Sequence, residues 1–310
     1  MVKSINKMSN FETVLFSNDS SYGGISFIAN HIEDSCTILS HSVRKDFDSM
    51  IDNKFFKTKN PKECENIINN CKRIIVFGTI SLDGIDVTKH QNKEIILIIS
   101  DSRFFKQKDR INKFLLNNSY IKILIMPDKI PFIDERISYK PYFQHLNISF
   151  ENELVKFDDL TFSHSPGAKY NSNLKGSDFI KKTLHDQKLI IIHNKTWDEC
   201  IEIKKKTHIF IDQIITEGNL DGKFGFKGGI GKSGLESMLL KNVLVTSSPP
   251  LITEPFFENP PSINIHPNKL RETIEDFIEN PDKIKTISNK QFEWAKKHTS
   301  LEFVKNNILN

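Results

Sequence analysis

The stretch "THIFIDQIITEGNLDGKFGFKGGIGKSGLESMLLKNVLVTSS", Thr207 to Ser248, decides how the chain is read. It opens on an apolar run, His208–Asp212, that ends in a carboxylate. It closes on a second run, Asn242–Thr246. Between them lie a glycine-bearing loop and a helical pattern over Ser233–Leu240. Apolar runs without alternation mark strands covered on both faces, hence a parallel sheet with helices packed on either side. Glycines ahead of a helix start leave backbone N–H groups and the helix dipole free to meet an anion such as phosphate.

The same alternation fills the rest of the chain. Further strands are expected at Thr13–Ser17, Cys36–Ser40, Arg73–Gly78, Glu94–Ser100, Ile121–Met126, Leu160–His164, Lys188–His193 and Ile263–His266. Helical patterns cover Gly24–Glu33, Pro61–Cys71, Lys108–Leu116, Gly176–His185 and Trp197–Lys205. Three more close the chain, over Asn268–Asn280, Pro281–Lys297 and Ser300–Leu309. Between residues 141 and 159 the periodicity lapses before a fresh strand begins. The expectation is therefore two α/β domains of ordinary size, residues 1–150 and 151–310, each a Rossmann-like, doubly wound sheet.

Composition narrows the class. A net charge of +4, from 43 basic and 39 acidic residues, is no argument for a nucleic-acid partner, which requires a concentrated basic face. Cys36, Cys64, Cys71 and Cys200 are scattered, without a Cys-x-x-Cys or a histidine at ligand spacing. Reduced thiols are expected, and no metal. Asp46-Phe47-Asp48 resembles an Asp-x-Asp metal motif but sits in the charged stretch "RKDFDSM", where a solvated face is expected. With no apolar run near ~20 residues and no h-region at the start, the expected location is cytoplasmic.

Within the opening stretch, Lys227-Gly228-Gly229-Ile230-Gly231-Lys232-Ser233 resembles the deviant phosphate loop of ParA/MinD-type ATPases. Its context does not suit that reading. Fifteen residues separate the strand's end at Asp212 from Gly228, no downstream strand ends in an Asp for Mg²⁺, and the ordinary Walker spacing meets Phe226 instead of glycine. A loop of glycines without any ligand is the bland alternative.

The longer text resembles the donor domain of GT-B glycosyltransferases of the group 1, nucleotide-sugar-dependent type. Those have a strand ending in Asp, a glycine loop, a helix opening "G-x-S-x-x-E-A-M" and then another strand. Here Asp212, Gly231, Ser233, Gly234, Glu236, Met238 and Val243-Leu244-Val245 take those places. A second block, "FSHSPGAKYNSNLKGSDFIKKTL", is similar to the family's His-x-Pro and Lys-Gly-x-Asp segment, with His164, Pro166, Lys175, Gly176 and Asp178 in register.

This resemblance implies two domains facing a cleft, C-terminal helices crossing back to the first domain, and transfer of a hexose-type sugar. The donor would be a UDP- or GDP-sugar, without further cofactor, and the acceptor a carbohydrate, lipid or protein. A peripheral membrane contact stays open. It further implies that Lys175, with Lys169 six positions earlier, grips the donor diphosphate. Gly231, Ser233 and Gly234 would offer backbone to the phosphates, and Glu236 would hold the ribose hydroxyls. Asn194 and Thr196 would line the nucleobase loop, and Asp212 would end the donor-side strand. In the acceptor-side domain, Gly23 and Gly24 resemble the family's glycine turn after the first strand. Asp101, at the carboxyl end of the Glu94–Ser100 strand, is the candidate acid–base. Plain alternatives stand beside these: a tight turn for the two glycines, a cap or turn residue for Asp101, a solvated lysine for Lys169 and an exposed helix-start acid for Glu236. Many retaining members carry a first Glu eight residues before the second. Gly228 stands there, which keeps a catalytically silent GT-B scaffold or a sugar-nucleotide-binding partner protein as the alternative function, ahead of the ATPase.

Overall fold

The computed structural model describes residues 12–19, 36–42, 55–57, 61–77, 81–82, 85–100, 104–146, 148, 159–166, 175–215, 230–247 and 258–309. The chain divides into two compact units, Met1–His145 with Leu301–Asn310, and Leu146–Ser300. The Gly24–Glu33 helix, Gly23, Gly24, Asp101, Lys169 and the Asp46-Phe47-Asp48 motif lie outside the described residues.

The first unit is built on a parallel sheet. Its strands are β1 (Thr13–Asp19), β2 (Cys36–Ser42), β3 (Phe55–Lys57), β4 (Arg73–Phe77), β7 (Glu94–Ile99), β8 (Lys122–Ile125) and β9 (Lys140–Pro141). They lie in the order β3-β2-β1-β4-β7-β8-β9. A small antiparallel pair, β5 (Ser81–Leu82) and β6 (Ile85–Asp86), stands apart from it. The winding runs from β1 to one side and then, from β4, to the other. That reversal is the switch point at which doubly wound sheets open a crevice beyond their strands' carboxyl ends. Helices α1 (Pro61–Asn70) and α2 (Phe104–Leu116) supply crossovers.

Strand residues two apart share a face, so Ile75 and Phe77, Ile96 and Ile98, and Leu124 and Met126 join one buried cluster. The chain's last helix, α8 (Leu301–Leu309), adds Val304 and Ile308 to that cluster, one turn apart on a single face. Asn307 Nδ2 donates to Pro141 O at 2.7 Å. The last helix therefore returns to the first unit. Pro141 has no N–H to give a neighbouring strand and accordingly sits in β9, at the end of the sheet.

The second unit holds β10 (Phe162–His164), β11 (Leu189–Ile191), β12 (Ile209–Ile211), β13 (Val243–Thr246) and β14 (Ile263–Asn264). All pairs are parallel, in the order β11-β10-β12-β13-β14. On one face Phe162, Ile209, Ile211, Val243 and Val245 pack with α3 (Ser177–Thr183) and α6 (Leu270–Glu279), through Ile180, Leu270, Ile274 and Phe277. The other face belongs to α4 (Trp197–Lys205), α5 (Lys232–Leu239) and α7 (Asp282–His298). Buried Gln291 of α7 stands in for a strand neighbour there. Its Oε1 accepts from Leu244 N at 2.7 Å and its Nε2 donates to Pro261 O at 3.0 Å.

Because Ile308 is almost wholly buried against the first unit's strands, Ile308→Ala should cost about 2 to 5 kcal/mol of that unit's stability. Urea unfolding of the whole chain reads this directly. A loss under about 1 kcal/mol would mean that the last helix is dispensable to the core.

Candidate functional site

In the second unit the switch point falls between β10 and β12, and the residues at their carboxyl ends are polar and buried. His164 ends β10. Its Nδ1 lies 2.7 Å from Ile211 O and its Nε2 lies 2.8 Å from Ser177 Oγ. A carbonyl only accepts, so Nδ1 carries the proton and Nε2 accepts from the serine hydroxyl. This neutral tautomer bridges two strands and the start of α3. Gly176, the N-cap of α3, has φ 70°, a left-handed conformation that glycine adopts at little cost.

The residue before that glycine is Lys175. Its Nζ donates to Asp212 Oδ1 at 2.6 Å, and its carbonyl accepts from Ile214 N at 3.1 Å. Asp212 directly follows β12 and is 0% exposed. Its second oxygen, Oδ2, has no hydrogen-bond partner among the described residues. That oxygen would lie 3.1 Å from a Cβ built on Gly234, which Ile230 Cγ2 would crowd at the same distance. Gly234 is thus small because a carboxylate and an isoleucine press on it.

Helix α5 begins at Gly231, whose backbone is extended (φ −81°, ψ 177°) and so needs no glycine for its conformation. Open space does distinguish it: no other described group comes within 4 Å of where its Cβ would stand. One turn into the helix, Glu236 is buried rather than an exposed helix-start acid. Its Oε2 accepts from Lys204 Nζ and its Oε1 from Trp197 Nε1, both at 2.8 Å. Lys204 also donates to Ser233 O at 3.0 Å and Ser233 Oγ at 2.8 Å, and lies 4.7 Å from the centre of the Phe210 ring. Burial pulls the Lys204 ammonium below the ordinary lysine range, with Glu236 opposing that shift. A carboxylate has about four acceptor positions, and these two bonds fill two of them.

Of the residues singled out in the sequence, the structure brings Lys175 to Asp212 and Asp212 to Gly234. It joins Ser233 and Glu236 through Lys204. Asn194 has φ 53° and precedes α4. Thr196 is the N-cap of that helix and closes a capping box with Glu199, accepting from Glu199 N at 3.3 Å while Glu199 Oε2 accepts from Thr196 N at 2.8 Å. Sequence reasoning missed Lys204 and Trp197. Their separation of seven on one helix was the available signal, since it puts both on one face two turns apart.

Solved structures share this architecture over nearly the whole chain. HepE of Anabaena in complex with UDP and glucose superposes with a TM-score of 0.63 at 10% identity, covering 96% of this chain and 98% of that one. A glycosyltransferase of Rickettsia africae gives 0.58 at 15% identity, covering 96% and 97%. HepE in complex with UDP-glucose gives 0.60 at 11% identity, covering 96% and 98%. The fold is GT-B. No protein-family model matches the chain, and no curated protein matches it by sequence. Within the GT-B frame, Asp212 and Lys175 occupy the switch point of the second unit. Among the described residues no three His, Cys, Asp or Glu side chains gather as metal ligands, and no helix is long and apolar enough to cross a membrane.

Burial drives the His164 imidazole down to about 4 from an ordinary value of 6.5. Between these values the unfolded chain binds the proton and the folded chain does not, so folding stability rises with pH across that window. It is complete above about pH 6.5 and falls by up to ~3 kcal/mol as pH drops to about 4. His164→Gln, which keeps one donor and one acceptor, should flatten that part of the stability curve. An unchanged slope would show that other groups set the acid limit.

Proposed function

We propose that the chain is a glycosyltransferase that moves a sugar from a nucleoside-diphosphate donor to a carbohydrate, lipid or protein acceptor. The observation that carries this reading is the Lys175–Asp212 pair at the switch point, with the second Asp212 oxygen set against Gly234 in the first turn of α5. In such a transfer the bond from the anomeric carbon to a phosphate oxygen breaks, and the acceptor oxygen takes its place. The diphosphate leaves with growing negative charge, so a fixed ammonium and backbone N–H groups aimed there lower the barrier. Lys175 supplies the ammonium, and Gly231 and Ser233 the backbone, since the Gly234 N–H already donates to Gly231 O at 3.1 Å. Glu236 supplies acceptor positions for the ribose hydroxyls. The acceptor's proton goes to a base, for which Asp101 is the candidate by its place after β7. The HepE structures hold UDP, UDP with glucose, or UDP-glucose, which makes uridine nucleotides the first donors to try.

A silent sugar-nucleotide binder is the second reading, favoured by Gly228 where the resemblance leads one to look for an acid. It shares the binding site and differs in turnover. The ATPase reading is weaker: α5 follows the third strand of its sheet, and β13 and β14, which come after it, end in Thr246 and Asn264, neither of them an acid for Mg²⁺.

Melting the chain against UDP-, GDP- and dTDP-sugars and ATP tests the reading. A ligand at 100 times its Kd raises stability by about 2.7 kcal/mol. Lys175→Ala should weaken nucleoside-diphosphate binding at least about tenfold, the worth of a charge-assisted bond. The double variant Lys175→Ala/Asp212→Asn, which strands no buried carboxylate, should show the same loss with its fold intact. Lys232→Ala should matter less. The opposite ranking, with ATP bound and Lys232 essential, would replace this proposal by the ATPase.

A further inference from the structure

Trp197 stands at the first position of α4 with 47% of its surface exposed. Its indole N–H is not loose, for it donates to Glu236 Oε1 at 2.8 Å. Two turns further along the same face, Lys204 holds the other oxygen of that carboxylate. The Lys232 ammonium lies 5.9 Å from the indole centre and 3.8 Å from Glu236 Oε1. The ring is therefore a plate pinned by its polar edge, with nearly half its surface exposed and a cation over one face. Tryptophan is suited to this use, because its body is apolar and its one donor can be tied off.

The pinning acid is the same one that the donor reading assigns to the ribose. A base and its ribose are joined by a single bond, so a group that stacks the base must stand next to the group that reads the sugar hydroxyls. A direct hydrogen bond between Trp197 and Glu236 meets that requirement. We propose that Trp197 is the base-stacking plate of a nucleoside-diphosphate site and that its N–H edge positions Glu236. This rests on the donor-site reading above. Every base has a π-face, so stacking adds affinity without choosing the base. Choice of base falls to other groups of the α4 entry, such as Asn194.

The chain has two tryptophans, and the other, Trp294, is buried and donates to Glu258 O at 3.0 Å. Trp197 emission is thus a built-in reporter. UDP and pyrophosphate are titrated by calorimetry and by intrinsic fluorescence into the wild type, Trp197→Phe, Trp197→Ala and Trp294→Phe. UDP should quench the wild type and Trp294→Phe but leave Trp197→Phe unchanged. Trp197→Ala should bind UDP about tenfold or more weakly, in line with the worth of a stacked base. Trp197→Phe, which keeps a ring but loses the donor that holds Glu236, should bind UDP between the wild type and Trp197→Ala, and pyrophosphate should not distinguish the variants. UDP bound as tightly by Trp197→Ala, with no quench in the wild type, overturns the stacking role and leaves the donor site standing. Equal losses in Phe and Ala overturn it too, since only the N–H would then count. If the wild type binds neither UDP nor pyrophosphate, the donor-site reading falls with it.

Discussion

The second unit is organised around one buried ammonium. Lys204 is 1% exposed, and stripping water from a lone cation costs several kcal/mol. Three oxygens and an aromatic face meet it: Ser233 O and Oγ, Glu236 Oε2 and the ring of Phe210. Each of these contacts fixes something else. The two from Ser233 tie the last turn of α4 to the first turn of α5, the ring seats the ammonium on β12, and the carboxylate is locked into one orientation. Any ligand that meets α5 at its start meets a surface set by this lysine.

Charge balance in that layer has a consequence for anion binding. Lys204 is matched by Glu236, and Lys175 by Asp212, so the two pairs together are neutral. Attraction for a diphosphate then depends on groups that the pairs leave available. These are the remaining protons of Lys175, the exposed Lys232 and the N–H groups at the start of α5. A donor site of the kind proposed would bind through placed donors rather than through a broad positive field, which accords with the chain's small net charge.

The architecture was legible because its strands are continuous apolar runs. "RIIVF", "EIILII" and "VLVT" are buried nearly throughout. What escaped were the elements that carry no such pattern. Phe55–Lys57 is three residues in a polar stretch, and Lys140–Pro141 is two residues with a proline; both end a sheet, where little pairing is needed. Of the candidate site, Lys175, Asp212, Ser233, Gly234 and Glu236 were singled out through the resemblance, and the structure adds local reasons for two glycines, the left-handed φ of Gly176 and the crowding at Gly234. Lys204 was invisible because it heads the run Lys204-Lys205-Lys206, and three lysines at a helix end ordinarily read as solvated. Only the third dimension shows that one of them turns inward.

The phosphate-loop letters of Gly231-Lys232-Ser233-Gly234 can now be taken one at a time. Gly231 has no other described group within 4 Å of where a Cβ would stand, and its extended backbone does not require a glycine. Lys232 is exposed and lies near the indole of Trp197. Ser233 is an anchor for a lysine on another helix. Gly234 yields to the carboxylate of Asp212. Similar letters arise because both architectures open a helix N-terminus beyond the carboxyl ends of parallel strands, where small residues and a donor-rich turn are favoured. The strand before the loop and the acids after it tell the two apart, and here the strand before it, β12, delivers an aspartate one of whose oxygens accepts from Lys175.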